Sequence, residues 1–408
     1  MPQRETASRS QIAQRVVYWR RRRGLTRQLF ADRMERSLSW VDMIQRGDRQ
    51  LDRLSVLEQI AEILQISIYA LIDREAAQRA AACVDQVEVR AIRQALSRYP
   101  NLTTNPDQPV SLPVVGRQTA YLEHAWLSSR FAVVAQYLPR LLDQAQLAAH
   151  TAPEAQRLHA HRTLVSAYRL ASSMLLKFDA NHIAWLAADR AMHTATTAED
   201  LWSLARATRS VARAMTRGQQ TTDAIAVLLA MADRMRPEIT NNEHNLLPLY
   251  GMLYLAASTA AARQADTTLA HDMHRQAETT AHRMTPHHPI QYTQFGIPNV
   301  LIHRVSALVR LHDTGRALEF ADTIDPTSIA RLPPERRANH LLDLTQAHSS
   351  TGNHHHAAHL LQQAEQIAPE EVRCRPLAHA LLRDLLDHTT GEPARLVRAM
   401  AARAALTT

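Results

Sequence analysis

Histidine and arginine carry most of the potential chemistry in this chain. His354, His355, His356 and His359 invite a metal reading, because His355 and His359 stand one helical turn apart. Consecutive histidines point in different directions, however, and no carboxylate or cysteine completes a site, so no metal is expected. Cys83 and Cys374, the only cysteines, provide neither a disulfide framework nor a zinc spacing. His282, His287 and His288 surround Pro286 and Pro289 and read as a connecting loop. No glycine-rich phosphate loop, nucleophile elbow or paired-carboxylate pattern stands out, so neither an enzyme nor a cofactor is expected. Arginine remains, and its chemistry is the binding of oxyanions. The formal net charge is +8, and Lys177 is the only lysine. That balance is compatible with nucleic acid, but a GC-rich codon bias is the favoured explanation of the arginine usage. From Met1 to Glu75, 14 arginines face 10 acidic residues, a net of +4. The run Arg20 to Arg23 suits phosphate binding and, as well, a helix C-terminus that attracts cations.

The elements that must position these arginines are short helices with clear stops. A first helix is expected over Ile12 to Arg23, with Ile12, Val16 and Trp19 inward and Gly24 ending it. Thr26 caps a second, Arg27 to Met34, whose Leu29, Phe30 and Ala31 supply packing positions. After a turn at Glu35 and Arg36, Ser37 caps a third, ending at Arg46 before Gly47, with Val41 and Ile44 inward. A fourth, Leu54 to Leu64, offers Leu54, Leu57, Ile60 and Ala61; Ile68, Leu71 and Ile72 close the bundle. Two short helices joined by a turn, the second capped and followed by Arg-Gly, form a helix-turn-helix.

Beyond this bundle, Glu75 to Ser97 reads as one Ala-rich helix. Tyr99 to Gly116, with Pro100, Pro106, Pro109 and Pro113, reads as a linker. From Gln118 to Leu406 one amphipathic helix follows another. Leu344, Gly352, Ala357, Ala364 and Pro369 fit the tetratricopeptide pattern. Ala184, Ala188 and Ala191 repeat the spacing, as do Ala224, Leu228 and Met231, and more weakly Ala317 and Ala321 after Gly315. Such units cannot bury their apolar faces alone, so they must stack, and stacking creates a groove. Tyr250, Tyr254, Tyr292, Phe295 and Asn299 are candidates to line it, although aromatics at helical spacing more often form core. With only 9 glycines, 5% aromatics and much Ala and Leu, the composition suits stacked helices. The expected fold is all-α: a five-helix bundle over 1–74, a connection over 75–117 and an α-solenoid over 118–408. No run of about 20 apolar residues suggests a membrane span, and the polar N-terminus lacks a signal core, so a cytoplasmic location is expected.

The stretches Arg23-Gly-Leu-Thr, Leu29-Phe-Ala-Asp-Arg-Met, Ser37 to Gly47 and Leu54 to Ala61 resemble the Xre/Cro/434-repressor family over roughly 60 residues. The whole arrangement resembles actinomycete regulators that join such a domain to tetratricopeptide repeats and, more distantly, peptide-sensing repeat regulators of Gram-positive bacteria. The resemblance implies a DNA interface made of Arg27, Gln28, Ser37, Leu38, Ser39, Trp40, Asp42, Met43, Arg46, Arg49 and Arg53. It places the third helix in the major groove, with Leu38, Ser39, Asp42 and Met43 nearest the base edges. There Ser39 would bond a base or a phosphate, Leu38 and Met43 touch a thymine methyl, and Asp42 accept from cytosine N4. Arg27 suits a phosphate at the N-terminus of the second helix, while Arg46, Arg49 and Arg53 grip the backbone or a narrow minor groove. Trp40 packs against the second helix or the DNA backbone. This chain departs from the family pattern at Glu35, where glycine is usual and a left-handed backbone is implied, and at Arg36, where an apolar residue is common. The first exposed positions of the third helix also lack Gln, Asn and Arg. Expected partners are a double-stranded DNA operator, a second copy of the chain in a homodimer, and a small-molecule or peptide effector in the repeats. The alternative is a repeat scaffold whose N-terminal bundle binds protein rather than DNA.

Overall fold

The computed structural model describes residues 9–46, 48–49, 51, 53–74, 76–77, 84, 86–99, 110–240, 244–284, 293–404 and 406. The described residues form 22 α-helices, one short 3-10 helix and no strand. None of these helices is long and apolar enough to cross a membrane. The chain divides into two compact units, 1–87 and 88–408.

The first unit holds α1 (Arg9–Arg22), α2 (Arg27–Arg33), α3 (Leu38–Arg46), α4 (Leu54–Leu64) and α5 (Tyr69–Ile72). Helix α1 packs on α3, α4 and α5, and α2 packs on α3. Val16, Trp19, Phe30, Met34, Ile44, Ile60, Leu64 and Leu71 form the fully buried centre. The caps fall where the sequence put them. Thr26 Oγ1 accepts from the Leu29 amide at 3.1 Å and Ser37 Oγ from the Trp40 amide at 3.2 Å. Gly24 (φ +66°) closes α1, and Glu35 (φ +54°) adopts the left-handed turn that its position implied. Two expected packing positions are corrected: Leu29 and Leu54 are exposed. Phe30 and Ala31 share the inward stripe of α2 with Met34, and Leu29 falls off that stripe; Leu54 is the first residue of its helix.

The single helix over 75–97 is also corrected. Val84 lies outside any helix, and α6 spans only Gln86–Leu96; residues 75, 78–83 and 85 lie outside those described. Helices persist through packing more than through propensity, and α6 buries a face with Ile92, Ala95 and Leu96. Residues 100–109 of the expected linker are not described, but 112–116 are helical. They open α7 (Leu112–Leu127), where Pro113 sits in the first turn and its missing N–H costs nothing.

The rest of the second unit comprises α8 (Phe131–Thr151), α9 (Glu154–Lys177), α10 (Asn181–Ala198), α11 (Leu201–Arg217), α12 (Thr221–Thr240), α13 (Leu247–Arg263), α14 (Thr267–His282), α15 (Ile297–Arg310), α16 (Thr314–Asp322) and α17 (Pro326–Ala330). It ends with α18 (Pro334–Ser350), α19 (His354–Ile367), α20 (Pro369–Arg373), α21 (Pro376–His388) and α22 (Gly391–Arg403). One turn recurs six times. Ser129, Asp179, Gln219, Ala265, His312 and Gly352 each sit alone in left-handed conformation, two residues after one helix and two before the next. In each case the following amide donates to a carbonyl five residues back, at 2.8–3.0 Å. These turns pair α7 with α8, α9 with α10, α11 with α12, α13 with α14, α15 with α16 and α18 with α19. Small residues allow close packing of the second helices: Ala184, Ala188, Ala191 and Ala195 on α10, and Ala357 and Ala364 on α19, are fully buried. The first helices form an inner layer, in which α7, α9, α11, α13, α15 and α18 touch in succession and α18 returns to touch α7.

Candidate nucleic-acid interface and an arginine-lined cavity

In the first unit, α2 and α3 present a face on which Arg27, Gln28, Leu38 and Ser39 are exposed and Asp42 and Met43 half-buried. Arg27 Nη1 donates to Asp42 Oδ1 at 3.0 Å, tying the expected phosphate ligand to the expected base reader. Gln28 donates to Asp32 at 2.7 Å, and the Ser37 hydroxyl accepts the capping bond. Arg46 pairs with Asp48 at 3.0 Å on the surface, while Arg49 and Arg53 are exposed. Of the two places expected for Trp40, the structure takes the packed one: it is only 7% exposed, with the Arg36 and Arg49 guanidiniums 6.0 Å from its ring centre. The indole turns inward beside Val41 and Ile44 and joins the core of the bundle.

The basic run divides cleanly. Arg20 Nη1 donates to the Leu25 carbonyl at 2.5 Å and Arg23 Nε to the Leu64 carbonyl at 2.8 Å. Arg22 and Arg23 lie 4.9 and 5.1 Å from the Trp19 ring centre. These three hold the bundle together, and Arg21 alone of the run is exposed.

In the second unit the inner helices surround a cavity of about 760 Å³. Ten cationic side chains line it against four carboxylates. Most are paired. Glu123 receives Arg169 and Arg206, the latter at 2.7 Å. Lys177 Nζ donates to Glu335 at 3.0 Å and Glu371 at 2.6 Å, between the rings of Trp126 and Phe131 at 4.8 and 4.5 Å. Arg375 donates to the other Glu371 oxygen at 2.6 Å and to Asn339 at 2.8 Å. The single lysine thereby ties α9 to α18 and α20. Burial lowers the Lys177 pKa, outweighing the two glutamates; burial would raise Glu335, but Arg336 and Lys177 hold it below the usual carboxylate range.

Arg209 and Arg213 on α11 and Arg263 on α13 stand apart. Among the described residues none of the three has a carboxylate within salt-bridge distance. Arg213 donates to Ser173 Oγ at 3.1 Å, while the buried Nε of Arg209 has no partner. Burial, then the neighbouring arginines, pushes Arg209 well below its ordinary value and Arg213 and Arg263 down to about 10. His303 faces the same space and is held neutral, first by burial and then by Arg336 and Arg209. The sequence reading missed this set. Its signal was present in Arg206, Arg209, Arg213 and Arg217, whose spacings of three and four residues put them on one helix face.

The aromatic candidates take the core reading rather than the groove. Tyr250 and Tyr254 are buried with hydroxyls 3.0 Å apart, and Asn299 is fully buried. Phe295 fills the space over Gly251, where an added Cβ would stand 1.9 Å from the ring. Tyr292 lies outside the described residues. The histidine run gains a carboxylate from a distant helix: His354, Asp384 and His388 gather with ligand atoms within 4.8 Å of one another. His354 and His388 are stacked, 18° from parallel, so their in-plane lone pairs run side by side rather than converge, and His388 Nδ1 already donates to the Asp384 carbonyl at 2.8 Å. Compared with known proteins, the chain matches no family model, no curated protein and no solved structure.

Proposed function

We propose that this protein is a DNA-binding transcription regulator. In this reading α2 and α3 are a helix-turn-helix, the hairpins from α7 onward are a tetratricopeptide-like solenoid, and an effector bound among the hairpins controls operator binding. The observation that carries it is the face of α2 and α3. Both helices are capped by Thr26 and Ser37 and backed by a complete core, yet they leave Arg27, Leu38, Ser39 and Arg46 facing solvent. A structural bundle has no need of that combination; a groove-entering helix does. The resemblance to the Xre/Cro/434-repressor family supports the same assignment. Arg27, Arg49 and Arg53 bind phosphates, Leu38, Ser39 and Met43 meet base edges, and two copies of the chain read a pseudo-palindrome.

The test is to incubate the full chain with fragmented genomic DNA and sequence what is retained. An enriched, two-fold related motif is expected, with retention lost when Arg27 and Arg53 are both changed to alanine. A second reading, a bundle that docks protein, is favoured by the exposure of Leu29, Leu38, Leu54 and Tyr69. That reading predicts no enriched motif, and such a result overturns the first.

A further inference from the structure

We infer that the cavity of the second unit binds a small molecule bearing two or more oxyanion groups, held by Arg209 and Arg213 of α11 and Arg263 of α13. The inference rests on the reading of this unit as the sensing half. Three features converge on it. The cavity of about 760 Å³ has the size of a small-molecule site and is surrounded by inner helices whose last member returns to the first. Its other cations already have carboxylate neighbours: Arg169 and Arg206 at Glu123, Lys177 at Glu335 and Glu371, Arg310 3.7 Å from Asp343, Arg217 3.8 Å from Asp179. The remaining three guanidiniums, on two adjacent helices, have none among the described residues. Arg209 and Arg213 are half-buried and Arg263 is exposed; a partly desolvated charge with no carboxylate within salt-bridge distance is costly, and the Arg209 Nε has neither protein partner nor solvent contact.

The donors also fit the ligand class. A guanidinium is a flat fork that grips the paired oxygens of a phosphate or carboxylate, and it stays cationic when buried. Neutral His303 beside it adds a hydrogen-bonding group without adding charge. Three guanidiniums offer more charge and more donors than one carboxylate can take up, so a ligand with two or more oxyanion groups is the better match.

The experiment is the heat stability of the full chain without DNA, so its failure and a failure of DNA binding are separate results. The probes are sodium pyrophosphate and sodium citrate at about 5 mM, against sodium chloride of equal ionic strength. One or both probes raise the Tm by several degrees and chloride does not. Arg209→Gln and Arg263→Gln abolish that rise, and the ligand-free Tm of Arg209→Gln equals or exceeds the parent's, because it removes a half-buried charge that has no carboxylate partner. A rise with pyrophosphate alone assigns a phosphate-bearing ligand; a rise with citrate alone assigns a polycarboxylate. The inference is overturned if neither probe acts, if chloride acts equally, or if the variants keep the shift. Circular dichroism checks that each variant is folded, and the two substitutions lie on different helices, so one misfolded variant leaves the other decisive.

Discussion

Asp42 and Lys177 each set the state of their neighbours. Asp42 holds Arg27 in a half-exposed ion pair, which occupies a cation otherwise available to a phosphate. In the proposed function Asp42→Asn therefore raises affinity for unrelated duplex DNA several-fold and steepens its salt dependence by about one phosphate contact. Fluorescence anisotropy at two salt concentrations measures both; unchanged affinity would mean that Arg27 does not reach the backbone. Lys177 is the reverse case, a cation buried among Glu335, Glu371 and two aromatic rings. Lys177→Met leaves two carboxylates facing each other across a buried site and lowers stability by about 3–5 kcal/mol. Urea denaturation reads this directly, and a loss below 1 kcal/mol would show that the network is held by Arg336 and Arg375 alone.

At the scale of elements, the recurrent turn is the device that builds the second unit. It requires one left-handed residue between two long helices, yet glycine fills that place only at Gly352. A side chain in this conformation costs about 1–2 kcal/mol relative to its right-handed form. Ala265→Gly, at φ +60°, is therefore stabilising by about 1 kcal/mol, and Gly352→Ala, at φ +80°, destabilising by a similar amount. The pair is checked by denaturant midpoints at constant slope. The same turn explains why the repeats were only partly legible. Ala357 and Ala364 on one helix, and Ala184, Ala188 and Ala191 on another, mark the close-packed faces. The turn residues Ser129, Asp179, Gln219, Ala265 and His312 share a backbone angle and no residue type.

Across the whole molecule, buried histidines make stability depend on pH. His274, His303 and His340 all have lowered pKa values, and burial is the first cause in each. His274 Nε2 donates to the Val300 carbonyl at 3.0 Å, which fixes a neutral tautomer. Between the depressed folded values and the ordinary 6.5, the unfolded chain binds more protons than the folded one. Their contribution is thus complete above about pH 6.5 and lost as pH falls below it. Denaturant midpoints are expected to be level from pH 7 to 8 and to decline from about pH 6.5 downward; a midpoint that holds to pH 5 would show that these rings remain accessible to protons at no cost.

The all-helical class, the end of α1 at Gly24, the Thr26 and Ser37 caps of α2 and α3, the bounds of α4 and the left-handed turn at Glu35 followed from the sequence alone. They depend on neighbours a few residues apart, through helix periodicity, capping oxygens and the conformational preferences of particular residues. Trp40, Leu29 and the run Arg20 to Arg23 were undecided or misjudged, because burial depends on which face the rest of the bundle covers. Tertiary structure alone assembled the cavity. Arg209, Arg213 and Arg263 come from two helices, and the Lys177 network joins residues nearly 200 positions apart (Glu371 is 194 away). A residue's type states what it can pair with; only the packed chain decides whether that partner is in reach, and for these three arginines the described residues provide no carboxylate within salt-bridge distance.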